Sequence, residues 1–340
     1  MKAIVYTQYG SPDVLHLKEV DKPLPQDHQL LIKVHAASVN TLDLTMRGPF
    51  LARIITGGLL KPKNQRLGVD LAGQVEAVGS SVTQFQPGDE VFGRGAGAFA
   101  EYVCARDDAV VLKPTILTFE AAAAVPVAAL TALQGLRDKG QIQPGQRVLV
   151  NGASGGVGTF AVQIAKSFGA EVTAVCSTRN VDLVRSIGAD HVIDYTQADV
   201  TRNGQQYDLI LAVNGYHPIS AYRRALSPTG VYVLVGGSKT HLYQALLQAL
   251  LLGPLISRTG GQKMRFFITK PNRQDLAFVK ELLEAGKVKP VIDRRYPLSE
   301  TADAVRYLEE GHARGKVVIT VDQNNHTSQS PNQRHLRGNS

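Results

Sequence analysis

The chain has 340 residues, a formal net charge of +8, 44% hydrophobic and 19% charged residues, 32 glycines and two cysteines. That length exceeds what one hydrophobic core usually fills and predicts two units of roughly 100–200 residues, and the composition describes a folded globular chain rather than a disordered or fibrous one. The basic residues are scattered and not interleaved with aromatics, which argues against nucleic acid and for an anionic small molecule; Cys104 and Cys176 cannot build a disulfide framework or a four-cysteine zinc site, which makes the cytoplasm the expected compartment.

The opening MKAIVYTQYG lacks the apolar core of a signal peptide and begins as a strand. Further short β segments follow in LLIKVHAASV, GQVEAVG, EVFGR and FAEYVCA, separated by turns such as QPGDEV, so residues 1–113 are predicted to form an all-β, barrel-like region. Within it, Gly48 to Lys61 is apolar with glycine hinges, as expected of a wall or lid over a hydrophobic substrate; the alternative is ordinary core or a dimer contact.

From Phe119 the texture becomes an Ala-rich helix and then alternating strands and helices: RVLVNG, GVGTFAVQIAKSFG, EVTAVCS, VDLVRSIG, HVIDY, YDLILAV, ISAYRRALSP and GVYVLVGG. That alternation predicts a βαβ parallel sheet. After Gly261 a strand (MRFFIT), two helices (DLAFVKELLEAG and TADAVRYLEEG) and a last strand (KVVITV) need partners, which they find if they return to the first unit. The apolar stretch Ala245 to Ile256 is shorter than the roughly 20 residues that cross a bilayer and is broken by Gly253 and Pro254. It reads better as ordinary core or a dimer contact, although with the net positive charge it and the lid segment leave room for loose peripheral association with an anionic membrane surface. The polar tail, residues 323–340, cannot offset its ordering entropy by burial and is expected to be disordered.

The strongest chemical signal is Gly152-Ala153-Ser154-Gly155-Gly156-Val157-Gly158, which follows the apolar run Arg147 to Asn151 and opens a helix with Val157, Phe160, Ala161, Ile164, Ala165 and Phe168 on one face. Gly152, Gly155 and Gly158 allow a sharp turn, close approach to a pyrophosphate and tight packing of helix on strand, while the first N–H groups of the helix face the phosphates. About 20 residues on, where an NAD enzyme carries an acid for the ribose, stands Cys176-Ser177-Thr178-Arg179-Asn180. A carboxylate would repel a 2′-phosphate, whereas Ser177 and Arg179 can donate to it, a charge-assisted contact of roughly 1.5–3 kcal/mol. The expected cofactor is therefore NADPH; the alternative for Arg179 is a solvated charge at a helix start.

Taken together, ASVNTLD, LGVDLAGQVEAVG, QPGDEVFG, FAEYV, VPVAALTALQ, NGASGGVG, LVRSIGADHVIDY and GHARGKVVI resemble, in this order, the medium-chain dehydrogenase/reductase superfamily, in its zinc-independent quinone oxidoreductase branch. The resemblance implies an α/β protein: a GroES-like β-barrel catalytic domain (residues 1–120 and 265–322) with an inserted Rossmann dinucleotide-binding domain (residues 121–264), NADPH and substrate in the cleft, and a homodimer. It also implies that Ser154, Gly156 and Val157 line the pyrophosphate, that Tyr195 lies near the adenosine phosphate, and that Thr131, Gly236, Gly237 and Ser238 lie near the nicotinamide. Tyr195 can equally be a strand-end aromatic.

Zinc-dependent alcohol dehydrogenases of the same superfamily place a Cys and a His ligand where this chain has Asn40 and Val69, and a hydroxyl where it has Leu42. An amide is a poor zinc ligand and an isopropyl group is none, and the nine histidines are dispersed without paired ligand spacing, so no metal is expected. Without a Lewis acid, the substrate best suited to accept hydride is a quinone or another conjugated carbonyl, whose developing charge spreads onto oxygen. Asn40 is the candidate catalytic residue, either as donor to that oxygen or in orienting the substrate; the alternative is a buried turn amide, and Asp43 beside it reads as a structural acceptor. Two further functions stay open: an enone or 2-alkenal double-bond reductase, and a non-catalytic NADPH-binding sensor or partner protein.

Overall fold

The computed structural model describes residues 1–47, 61–215, 217–236 and 261–321. The expected lid (but for Lys61), the apolar stretch Ala245 to Ile256, the tail, and the site candidates Gly237 and Ser238 lie outside the described residues. Among those residues no helix is long and apolar enough to cross a membrane.

Strands β1 (Lys2–Val5) and β2 (His16–Glu19) form a small antiparallel pair. Most of the first third of the chain builds a larger sheet from β3 (Gln29–Val39), β4 (Asp70–Val78), β5 (Glu90–Arg94), β6 (Tyr102–Arg106) and β7 (Val110–Leu112). A second sheet takes β8 (Arg147–Asn151), β9 (Glu171–Cys176), β10 (His191–Asp194), β11 (Tyr207–Ala212), β12 (Leu226–Leu234) and β13 (Lys263–Phe266) in the order β10-β9-β8-β11-β12-β13, with every pair parallel. Its strands are apolar runs because the sheet is covered on both faces: Val148, Leu149 and Val150 of β8 are fully buried.

The chain then returns. β14 (Ile292–Pro297) and β15 (Lys316–Thr320) pair in parallel, and β15 joins β3 antiparallel, so the first sheet runs β14-β15-β3-β4-β5-β7 with β6 also on β3. The helix Thr301–Glu309 buries Ala304 and Val305 in that sheet's core. One element expected to return does not. The MRFFIT strand adds in parallel to the edge of the second sheet through Phe266, with Met264 buried beside Tyr222 and Tyr232, so residues 265 and 266 belong with that sheet, past the expected division at residue 264. The helix Arg273–Glu284 packs Leu276, Val279, Leu282 and Leu283 into the core shared by both units.

That shared core explains the Ala-rich texture. The helices Phe119–Ala123 and Pro126–Leu133 bury Ala122 to Val125, Ala128, Ala129 and Ala132 between Ala36, Ala72 and Phe92 of the first sheet and Val148, Val150 and Phe160 of the second unit. Short side chains let the two layers approach closely, at the cost of little side-chain entropy. Two buried glutamines stitch the seam as a strand would. Gln163 donates to the Lys289 carbonyl and accepts from its N–H at 3.0 and 2.8 Å, and Gln134 does the same with Lys270.

Candidate active site

The glycine loop sits at the carboxyl ends of the second sheet's strands, the crevice where open parallel sheets bind ligands. Gly152 leaves β8 with φ +87°, a left-handed conformation natural to glycine, and its N–H and that of Ala153 both donate to the Val175 carbonyl of β9. A side chain on Gly158 would stand 2.1 Å from the Gly152 carbonyl oxygen, so this glycine seats the helix Gly156–Ser167 on its own turn. A side chain on Gly155 would meet the Gly152 carbonyl oxygen at 3.7 Å, an ordinary contact distance. Gly155 begins the helix without any side-chain cap, which leaves its first N–H groups and the positive end of its dipole for an anion. This cradle fits the pyrophosphate of a dinucleotide. Gly236 closes the floor by donating to the Ala212 carbonyl and accepting from the Gly215 N–H, next to Asn214, which lines Gly152.

On the adenosine side, the chain places a residue that the motif reading passed over. Asn180, 5% exposed, donates to Ser154 Oγ at 3.0 Å and Ser177 Oγ at 3.2 Å, joining the glycine loop to the ribose loop. Ser177 is half-buried, whereas Arg179 is exposed and donates to the His312 carbonyl. Tyr195, half exposed, follows β10, and its N–H donates to the Cys176 carbonyl at 3.0 Å. The ribose loop itself carries no acid, but the fold brings Asp194 to it: its carboxylate accepts from Thr178 at 2.5 Å and from the Thr196 hydroxyl at 2.8 Å. The Thr178 hydroxyl holds this carboxyl below the usual carboxylate range.

The other wall is a buried polar cluster. Asn40 is 6% exposed and both its amide N–H groups are engaged, one with the Ser38 carbonyl at 3.2 Å and one with Asp70 Oδ2 at 3.0 Å. Its amide oxygen accepts from Lys316 Nζ at 2.6 Å. The donor role expected for Asn40 would therefore require a substrate oxygen to displace an internal partner. Asp70 is fully buried and also accepts from Ser38 Oγ and, through Oδ1, from the Val127 N–H at the start of the helix Pro126–Leu133. One turn on, Thr131 donates to the Val127 carbonyl at 2.7 Å and shares a 2.8 Å hydrogen bond with Thr269, so its hydroxyl is held within the seam. Asp43 accepts from the N–H groups of Asn40 and Gly68 at 2.8 and 3.2 Å, the structural part expected of it. Burial pushes its carboxyl up to about 7, against the pull of those two donors. Burial likewise lowers the Lys316 ammonium, opposed by Asp70 and Asp43.

Among the described residues this cluster offers zinc no ligand set. The Asn40 oxygen already holds an ammonium, Val69 offers no ligand atom, and no group of three His, Cys, Asp or Glu side chains that could hold a metal exists among the described residues.

With this geometry established, likeness to known proteins becomes informative. Residues 26–115 match the family model described as "Alcohol dehydrogenase GroES-like domain", and residues 187–319 the one described as "Zinc-binding dehydrogenase". The chain is 36% identical to mouse "NAD(P)H oxidoreductase RTN4IP1, mitochondrial", over 94% of this chain and 89% of that protein. It is 38% identical to tomato "2-methylene-furan-3-one reductase", over 94% and 79%. The structure of the quinone oxidoreductase from Coxiella burnetii superposes with a TM-score of 0.81 at 32% identity, covering 95% of this chain and 99% of that one. The chain belongs to the medium-chain dehydrogenase/reductase family, in its quinone oxidoreductase-like branch. It is an oxidoreductase built around a nicotinamide cofactor.

Proposed function

We propose that the protein is an NADPH-dependent, zinc-independent reductase of quinones or other conjugated carbonyls. The observation that carries this reading is the juxtaposition at the seam: an uncapped, glycine-lined helix start on one side, and on the other a closed polar cluster in which the Asn40 amide oxygen holds the Lys316 ammonium. A reduced nicotinamide bound across that seam supplies a hydride. The chain's part is to hold the pyrophosphate on the first turn of the helix Gly156–Ser167, to recognise the ribose phosphate with Ser177 and Arg179, and to keep water from the apolar seam behind Thr131.

Without a bound dication to polarise a carbonyl, conjugation must carry the charge that develops on the acceptor, which selects quinones and enones over simple ketones. Reduction then consumes one hydride and one proton, the latter available from solvent. The names of the Coxiella and tomato proteins point to both acceptor types. The family resemblance also implies a homodimer, which light scattering measures directly.

The test mixes the protein with NADPH or NADH and a panel of benzoquinones, enones and simple ketones, following loss of nicotinamide absorbance and identifying the products. Turnover of conjugated acceptors with NADPH, unchanged by a chelator, supports the reading. Turnover of simple ketones only, or dependence on added zinc, refutes it. NADPH binding without turnover of any acceptor would make the chain a sensor or partner protein instead.

A further inference from the structure

Lys316 opens the last strand, inside GHARGKVVI, where a lysine reads as an ordinary charged strand terminus. The structure buries it to 3% exposure. Its two ends meet different walls of the seam. The ammonium donates to Asn40 Oδ1 at 2.6 Å and to the Val39 carbonyl at 3.3 Å, with Asp70 Oδ2 at 3.5 Å. The stem lies along the first residue of the phosphate-facing helix: Lys316 Cδ is 3.0 Å from where a Gly156 side chain would begin. The preceding Gly315 forms a backbone bridge with Gly155. A lysine stem can pack as a hydrocarbon while its head stays charged and fully bonded, and this one spans from the cofactor cradle to the acceptor wall.

Asn40 has no freedom of its own. With both N–H groups on Ser38 and Asp70 and its oxygen on Lys316, its orientation is set by its three partners, and of these Lys316 also touches the glycine loop at Gly156. We propose that Lys316 is a positioning residue that transmits cofactor occupancy from Gly155 and Gly156 to Asn40, so that the acceptor wall is fixed when the dinucleotide is seated. This rests on the cofactor reading above. A phosphate on the first turn of the helix immobilises Gly155 and Gly156; the lysine stem packed on them is held in turn, and with it the ammonium that clamps the amide. Packed side chains carry coupling of this kind, and here the path is one side chain long.

The experiment is hydrogen exchange read by mass spectrometry, with and without NADPH, on wild type and Lys316→Met, which keeps most of the stem and removes the ammonium. In wild type, NADPH slows exchange both in the glycine loop Gly152–Gly158 and in Ser38–Leu44. In Lys316→Met the protection of the glycine loop persists and that of Ser38–Leu44 is lost. In steady-state assays kcat falls about tenfold or more while KM for NADPH stays within about threefold, and Asn40→Ala combined with Lys316→Met costs no more than the larger single change. Lys316→Arg, which keeps a cation beside Asp70 and donors toward Asn40, restores part of the lost protection. Should Lys316→Met unfold because Asp70 is left buried without its cation, the double variant Asp70→Asn/Lys316→Met removes both charges and carries the same comparison against Asp70→Asn. Protection of Ser38–Leu44 that survives in Lys316→Met, or losses that multiply in the double variant with Asn40→Ala, overturns the proposal. Absence of NADPH protection in the glycine loop of wild type is a different failure, which removes the cofactor reading and this inference with it.

Discussion

The Arg179 guanidinium donates through Nη2 to the backbone carbonyl of His312 at 2.9 Å, joining residues 133 positions apart. Arg179 belongs to the ribose loop of the parallel sheet and His312 to the turn that leads into β15 of the other sheet. The group expected to read a 2′-phosphate is thus already held by a neutral acceptor. A dianionic phosphate competes well for it, because a charge-assisted hydrogen bond is roughly twice as strong as a neutral one.

Arg179→Ala is therefore expected to raise the Kd for NADPH about tenfold to a hundredfold while changing that for NADH by less than about threefold, since one charged contact is worth about 1.5–3 kcal/mol. Adding Ser177→Asp inverts the ratio of kcat/KM for the two cofactors. Calorimetry with both nucleotides checks the first statement and steady-state kinetics the second; an unchanged ratio would assign cofactor discrimination to another loop.

Asp70 is the hub of the buried cluster, and removing it strands the Lys316 ammonium and orphans donors from Ser38, Asn40 and Val127. Asp70→Ala is expected to destabilise the fold by about 3–5 kcal/mol, the usual cost of breaking a buried pair by deleting one partner. The double variant Asp70→Asn/Lys316→Met should recover part of that loss. Urea unfolding at neutral pH measures both.

Asp43 titrates in the opposite sense to most carboxylates. Its folded value is pushed up to about 7 by burial, above the unfolded one, so the native state binds the proton more tightly. Its contribution is complete at low pH and is lost as pH rises through about 7. Between roughly pH 4 and 7 this group alone lowers stability by at most about 1.4 kcal/mol per pH unit, and the slope vanishes in Asp43→Asn. Chemical denaturation of both proteins across that range, compared as a difference, isolates the effect.

Two glycines of one loop should respond differently to a single methyl group. At Gly158 the new Cβ meets the Gly152 carbonyl at 2.1 Å, so Gly158→Ala is expected to lower Tm by several degrees as well as weaken NADPH binding. At Gly155 the nearest atom, the Gly152 carbonyl oxygen, is at an ordinary contact distance of 3.7 Å, so Gly155→Ala should keep its Tm and lose cofactor affinity, because the methyl stands at the start of the phosphate-facing helix. Thermal unfolding without ligand and calorimetry with NADPH separate packing from binding.

What the amino-acid sequence disclosed follows from how local each signal is. The glycine loop was legible because turn, cradle and helix start occupy consecutive residues, and the parallel sheet because its strands are continuous apolar runs. The Asn40–Asp70–Lys316 cluster was not, since its members lie 30 and 276 positions apart and each alone looks like a turn amide, a strand-start acid and a strand-end lysine. Asn180 was in view but read only as part of a motif, and its role appears once Ser154 and Ser177 meet across it. Asp194 lies within HVIDY, 16 positions beyond Thr178, and only strand pairing brings it beside that hydroxyl. The MRFFIT strand was recognised as a strand and given the wrong neighbour, because periodicity reports burial and not which sheet supplies it.

The position of β15 between β14 and β3 has a consequence for biosynthesis. Along one edge of β3, Gln29–Lys33 is covered early by β6, but Ala36–Val39 waits for residues 317–320. While the ribosome is still adding residues 267–316, the parallel sheet already has its six described strands available, yet the N-terminal sheet presents a bare apolar margin. A nascent chain stalled or nicked before Lys316 thus carries an adhesive edge that invites pairing with another polypeptide, so chaperone demand should peak in that interval and fall once the final strand is threaded home.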